Sequence, residues 1–256
     1  VKSKKIVVTR ASHQALELAS LLEARGAIPV FYPCIEIVPP EDTRSLDDAI
    51  RRAAEGGFDR IVFTSANTVF ALSSRFTQLG IAPEKMAKTQ VAAIGPATAD
   101  AVRSMFSLSA ETVPEEYTSE SLARALACVR GCRIFLPQSD LARSSLRDEL
   151  SRAGAVIVSP VAYRTAMGSG GADVPCLLEN HEIDAVTFTS SSTVDNFVKR
   201  LAAEGGDLDL LRGVCVACLG EKTALAAAGH GIGVTETTRE NTLEGLVAVL
   251  ARRLTG

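Results

Sequence analysis

Short runs of consecutive apolar, often β-branched residues alternate along this chain with longer stretches whose apolar residues recur every three or four positions. The short runs end at Thr9, Val30, Phe63, Ile94, Phe135, Val158, Phe188 and Leu219, and each reads as a strand. The stretches between most of them carry the period of an amphipathic helix, for example Gln14–Arg25 and Leu141–Ala153. Strands alternating with helices of this length predict an α/β fold with parallel sheets. With about five strands in each of two domains, the layers are flavodoxin-like, and ligands bind beyond the carboxyl ends of the strands.

The pattern is duplicated. Asp59-Arg60-Ile61-Val62-Phe63-Thr64-Ser65-Ala66-Asn67-Thr68-Val69 returns 125 residues later as Asp184-Ala185-Val186-Thr187-Phe188-Thr189-Ser190-Ser191-Ser192-Thr193-Val194. The same offset carries Ile94-Gly95-Pro96-Ala97-Thr98-Ala99 onto Leu219-Gly220-Glu221-Lys222-Thr223-Ala224, and an offset of 124 carries Thr118-x-Glu120-x-Leu122 onto Thr242-x-Glu244-x-Leu246. A shorter strand–helix–strand unit, Ile6 to Ala27, recurs 128 residues later as Ile134 to Ala155. The order is short, long, short, long, which builds domains in two ways. Contiguous pairing gives 1–128 and 131–254. Crossed pairing joins the two middle units, about 36–167, and folds the first unit with the last. Periodicity alone does not choose between them. Pro33–Pro40 and Ser159–Thr165 read as extended connectors at corresponding places, and Gly168-Ser169-Gly170-Gly171 reads as a breaker.

Composition narrows the function classes. The 256 residues are 46% hydrophobic, enough for one large or two small cores, and the formal net charge of −3 argues against nucleic acid as the main partner. No apolar run is long enough to span a membrane, and the basic N-terminus leads into a first strand rather than a signal segment. The six cysteines read as reduced buried thiols of a cytoplasmic protein. Cys215-x-x-Cys218 lies within a strand and lacks a second pair of ligands. The three histidines have no metal spacing. Gly229-x-Gly231-x-Gly233 follows a helix rather than preceding one, so it is a helix end and not a dinucleotide fingerprint.

The chemistry gathers at strand ends. Thr64-Ser65-Ala66 and Thr189-Ser190-Ser191 each close a strand and open a helix, where hydroxyls cap and first-turn amides favour carboxylates or phosphates. Gly95-x-x-Thr98 and Gly220-x-x-Thr223 form a second pair, with Lys222 beside Gly220. Arg10 ends the first strand, and Arg143 stands before the helix that follows Leu136-Pro137-Gln138-Ser139. Arginine forks suit carboxylates.

Taken together, Thr9-Arg10, Phe63-Thr64-Ser65-x-Asn67-x-Val69, Ile94-Gly95-x-x-Thr98-Ala99, Val161-x-Tyr163-x-Thr165, Thr189-Ser190 and Gly220-x-x-Thr223-Ala224 resemble the uroporphyrinogen-III synthase family, from Lys5 to about Leu254. The resemblance implies the crossed pairing, with one domain of residues 1–35 plus 168–256, a second of 36–167, and a two-stranded hinge. It implies a cofactor-independent hydro-lyase of haem biosynthesis. The substrate is hydroxymethylbilane, and the last pyrrole ring is inverted through a spiro intermediate. Such a substrate carries eight carboxylates, and loss of its hydroxyl leaves an azafulvene that pyrrole nitrogen stabilises. The protein's tasks are then to bend the chain, orient its ends and exclude water. Orientation of this kind contributes about 7–11 kcal/mol in favourable intramolecular reactions. The match places Tyr163 at the family's connector tyrosine. There it is either the general acid, as a phenol protonated at neutral pH, or a packed hinge residue. Gln138-Ser139-Asp140 stands where the resemblance suggests a more basic turn. A monomer is expected, with the enzyme that forms hydroxymethylbilane as a partner. The competing class is a hinged two-domain binding protein without catalysis.

Overall fold

A computed structural model describes residues 1–126, 128–238, 240 and 242–255. The first elements are β1 (Lys5–Val8), α1 (Ser12–Glu23), β2 (Ile28–Phe31), β3 (Ile35–Val38), α2 (Arg44–Ala54), β4 (Arg60–Phe63), α3 (Ala66–Gln78), β5 (Gln90–Ala93), α4 (Pro96–Phe106) and α5 (Ser119–Ala125). They are followed by β6 (Arg133–Phe135), β7 (Gln138–Ser139), α6 (Ser145–Arg152), β8 (Val156–Val158), β9 (Val161–Met167), α7 (Val174–Glu179), β10 (Ala185–Phe188), α8 (Ser191–Ala203), β11 (Cys215–Cys218), α9 (Glu221–Gly229), β12 (Glu236–Thr237) and α10 (Leu243–Thr255). The chain divides into two compact units, Val1–Glu36 with Ala166–Gly256, and Ile37–Thr165.

The first unit holds a five-stranded parallel sheet in the order β12-β11-β10-β1-β2. Counted by chain position within the unit, this is the flavodoxin-like order. Alternate residues of each strand enter opposite cores. Val7, Val186, Phe188, Val216 and Cys218 pack on one side with α7, α8 and α9, while Ile6, Val8, Ala185, Cys215 and Ala217 pack on the other with α1 and α10. Helices follow the same logic: Ala15, Leu18, Ala19 and Leu22 form the buried stripe of α1. A parallel sheet covered on both faces needs strands apolar at every position, and this is why the sequence runs are continuous rather than alternating.

The second unit repeats the plan with the parallel sheet β5-β4-β6-β8. Ile61, Phe63, Val91 and Phe135 face one core, and Val62, Ala92, Ile134 and Leu136 face the other. Five strands are expected here, but the described sheet has four. The place beside β5 that corresponds to β12 holds only an isolated bridge between Ala92 and Thr112. The cause lies two residues on. In the first unit, Thr238 donates its amide to Cys218 O at 3.1 Å. The residue 124 positions earlier is Pro114, which has no amide hydrogen to extend a ladder.

A third sheet, β3-β9-β7, lies where the chain passes between the units. It corrects a second expectation, the helix over Leu141–Ala153. Gln138 and Ser139 pair with β9 instead, Asp140 N–H donates to Tyr163 O at 3.1 Å, and Leu141 N–H donates to Ser139 Oγ at 3.1 Å. These local bonds hold the backbone out of helical geometry, so α6 begins only at Ser145.

An aspartate ties each unit together, and a buried arginine adds to the first. Asp59 and Asp184, 125 residues apart, both precede the central strand of their long repeat. Each carboxylate accepts the backbone amide that starts the neighbouring short-unit strand, Arg133 N and Lys5 N, at 2.8 Å. In the first unit, Arg200 is 4% exposed. It donates to Pro33 O and Gly170 O at 2.6 Å and to Glu204 at 2.8 Å, and it stacks over the Tyr32 ring at 3.7 Å. Tyr32 hydroxyl closes the circuit on Glu204 at 2.7 Å.

Arg200→Met removes the donor for two carbonyls and the ring stack on Tyr32, and leaves Glu204 with Tyr32 alone, so urea unfolding should show a loss of about 3 kcal/mol. A loss below about 1 kcal/mol would contradict this account of the cluster. The second prediction concerns pH. Hydrogen bonds from the Arg133 side chain, then from its backbone, hold the Asp59 carboxyl down to about 2. Because this value is depressed, the associated stability is present above the unfolded carboxylate value near ~3.9 and disappears as pH falls toward 2. Asp59→Asn should therefore unfold earlier than wild type in denaturant at pH 7, with the difference closing in acid; a difference independent of pH would refute the assignment.

Candidate functional site

Apart from Arg143 and Tyr163, the sequence-predicted groups fall at the carboxyl ends of both parallel sheets, where strands hand over to helices. In the second unit, Ser65 is extended and caps α3. Its Oγ accepts Thr68 N–H at 3.1 Å and lies 2.9 Å from Thr68 Oγ1. Ala66 is the first helical residue, and Thr64 and Ser65 are half-buried. In the first unit, Ser190 caps α8 through a reciprocal box with Thr193. Ser191 Oγ donates to Lys222 O at 3.3 Å, which joins that corner to the start of α9. Thr189 is half-buried beside it. The short motif therefore produces the same corner twice because the cap alone fixes the chain's exit from the strand. The helix dipole then leaves the positive end of a 13-residue helix at each corner.

The glycine pair is symmetric in sequence but not in cause. Gly220 precedes α9 with φ +78 and ψ 163, a backbone conformation that only glycine adopts readily. Gly95 precedes α4 with φ −171 and ψ 175, ordinary extended geometry open to any residue. A Cβ on Gly95 would instead sit 3.1 Å from Cγ of Tyr117. Thr98 and Thr223, expected on the open edge, are 4% and 3% exposed. Lys222 is exposed in the first turn of α9.

Tyr163 is brought to the Ser65 corner. Its ring belongs to the core of the second unit at 7% exposure, its carbonyl is held by Asp140 N–H, and its hydroxyl lies 3.3 Å from Ser65 Oγ. A hydroxyl proton donor therefore stands at the amide-rich end of a helix. Arg10 follows β1 with its side chain 16% exposed and paired at 3.4 Å with the exposed Glu17. Burial lowers its affinity for the proton more than Glu17 restores it. Arg143 is exposed in the loop before α6, apart from the capped corners in sequence, and no helix start holds it. The residue passed over in the sequence is Tyr117, 54% exposed. The available signal was an aromatic directly before the repeated Thr118 motif.

A family model described as "Uroporphyrinogen-III synthase HemD" matches residues 16–248. A uroporphyrinogen-III synthase of Synechococcus elongatus is 31% identical over 255 residues, covering 96% of this chain and 94% of the relative. Among solved structures, a mutant uroporphyrinogen III synthase of Thermus thermophilus aligns with a TM-score of 0.67 at 21% identity, covering 99% of both chains. The Helicobacter pylori uroporphyrinogen-III synthetase aligns at 0.60 and 16% identity, covering 98% of this chain and 99% of that one. At these identities the structural matches establish the two-unit α/β fold.

The different origins of the two glycines predict different costs. Gly220→Ala forces a side chain into left-handed backbone and should cost about 1–3 kcal/mol in urea unfolding. Gly95→Ala meets no such backbone barrier and should cost less; equal losses would show that backbone conformation does not separate them.

Proposed function

This chain belongs to the uroporphyrinogen-III synthase family, and from that premise we propose that it closes hydroxymethylbilane to uroporphyrinogen III. The hydroxymethyl carbon–oxygen bond breaks, water leaves with one added proton, and the azafulvene that remains is attacked by the substituted carbon of the last ring. The spiro intermediate then opens and recloses with that ring inverted, and a proton lost from the ring balances the one taken by the leaving water. The observation that carries this reading is the Tyr163 hydroxyl at 3.3 Å from the capping Ser65, a proton donor placed where a helix end favours anions.

The remaining groups bind. The corners at Thr64, Ser65 and Ala66 and at Thr189, Ser190 and Ser191 take substrate carboxylates, as do the first-turn amides that follow Gly95 and Gly220, those of Thr98 and Thr223 among them. Arg10, Arg143 and Lys222 add cations. Arg10 suits the task because its partly desolvated guanidinium has a single acidic partner among the described residues, the exposed Glu17. The reading needs no nucleophile from the protein, because the electrophile arises within the substrate. It takes as folding domains residues 1–35 with 168–256 and residues 36–167, acting as a cytoplasmic monomer supplied by the enzyme that makes hydroxymethylbilane.

Incubation with freshly generated hydroxymethylbilane tests the activity. The type III isomer should form; type I alone would identify a binding protein. Tyr163→Phe should lower turnover about ten- to a hundredfold while leaving type III product, because orientation supplies the rest. Wild-type turnover in that variant would remove Tyr163 from proton transfer and leave it a packing residue.

A further inference from the structure

Gly95 raises a question that its backbone does not answer. At φ −171 any residue is tolerated, yet the position has no side chain. The space is taken by Tyr117, whose Cγ, Cδ1 and Cβ lie 3.1, 3.3 and 3.4 Å from where a Cβ would stand. That ring is 54% exposed, so the chain leaves out a side chain at the end of β5 to seat an aromatic that the core does not bury. Stability gives little reason for this, since an exposed ring gains only part of its burial energy.

The duplication supplies a control. The residue 124 positions after Tyr117 is Asn241, although the Thr118 motif that follows is matched by Thr242. The matching glycine, Gly220, is required by its positive φ. An aromatic at this place is therefore not demanded by the strand–helix corner itself; it is peculiar to one copy. Its neighbours do not turn the site against an acidic ligand entirely: Glu116 is engaged by Ser121 Oγ at 3.1 Å and by Arg124 at 3.9 Å, while Glu115 is exposed.

We propose that Tyr117, seated on Gly95, is a positioning residue that stacks on one pyrrole ring of the tetrapyrrole bound at the second unit's strand ends. The inference rests on the proposed function. Carboxylate donors fix the rim of a pyrrole but leave its plane free to tilt. An aromatic face beside the β5 corner fixes the plane, using the offset or edge geometry that aromatic pairs prefer. The hydroxyl is not required for this role.

The test is a double-mutant cycle with hydroxymethylbilane. Tyr117→Ala should raise KM about three- to tenfold with kcat and thermal midpoint little changed, whereas Tyr117→Phe should retain the wild-type KM. Gly95→Ala should raise KM by tilting the ring, and should add little in the Tyr117→Ala background. Wild-type KM in Tyr117→Ala overturns the proposal, as does a Gly95→Ala penalty that persists undiminished without the ring, which would assign Gly95 to direct ligand approach. Failure of the activity reading is distinguished by the wild-type protein itself, which would then form no type III isomer.

Discussion

A parallel sheet covered on both faces leaves its polar work to its edges and ends. The apolar side chains of β1, β10 and β11 enter one of two cores, and most of those of β4, β5 and β6 behave the same way, while Lys5, Arg60, Gln90 and Arg133 at the strand starts stay polar and partnered. Even two buried threonines of the first unit are consumed internally: Thr9 donates to Thr187 O at 2.6 Å, and Thr187 donates to Val7 O at 2.7 Å. Chemistry is thereby confined to the carboxyl ends, where pairing stops and helices begin with unpaired amides. The capping serines, the glycines, Arg10 and the Tyr163 hydroxyl all lie in or beside such handovers.

That constraint also explains which parts of the architecture were legible in the sequence. Eight strand ends were read to within one residue, because a doubly buried strand writes itself as an unbroken apolar run. The capped corners were legible as well, since a hydroxyl residue between a strand and an amphipathic run has a local cause. The failures share the opposite property. The start of α6 depends on Asp140 and Gln138 pairing with β9, 23 residues further along the sequence, so the helical period of Leu141–Ser144 pointed the wrong way. The missing strand at Thr112 turned on Pro114, whose lost donor matters only because its counterpart Thr238 makes a ladder bond.

Side-chain clusters were the least legible. Nothing local marks Arg200 as a buried residue; its position on α8 reads as one more charged face. Its burial is explained by partners spread over Tyr32, Pro33, Gly170 and Glu204, all supplied by tertiary structure. The same holds for Gly95. The sequence offered a glycine for close ligand approach, and only the structure adds that Tyr117 packs over it.

The differences between the two copies carry more functional information than their likeness. A linear tetrapyrrole has a hydroxymethyl group at one end and an unsubstituted position at the other, so its two ends are chemically distinct. A protein with two identical sets of anion-binding corners has no means of telling those ends apart. On the proposed reading, duplication supplies the grip, and divergence supplies direction. Tyr163 has Ile35 as its counterpart 128 residues earlier, Tyr117 has Asn241, and Ala97 has Lys222. In these pairs one unit carries the phenols and the other the added cation. Since a ring can close without inversion when the two ends simply meet, selection of the rearranged product requires an enzyme that holds unlike ends in unlike surroundings. On the proposed reading, the asymmetry of these pairs is where the chain provides them.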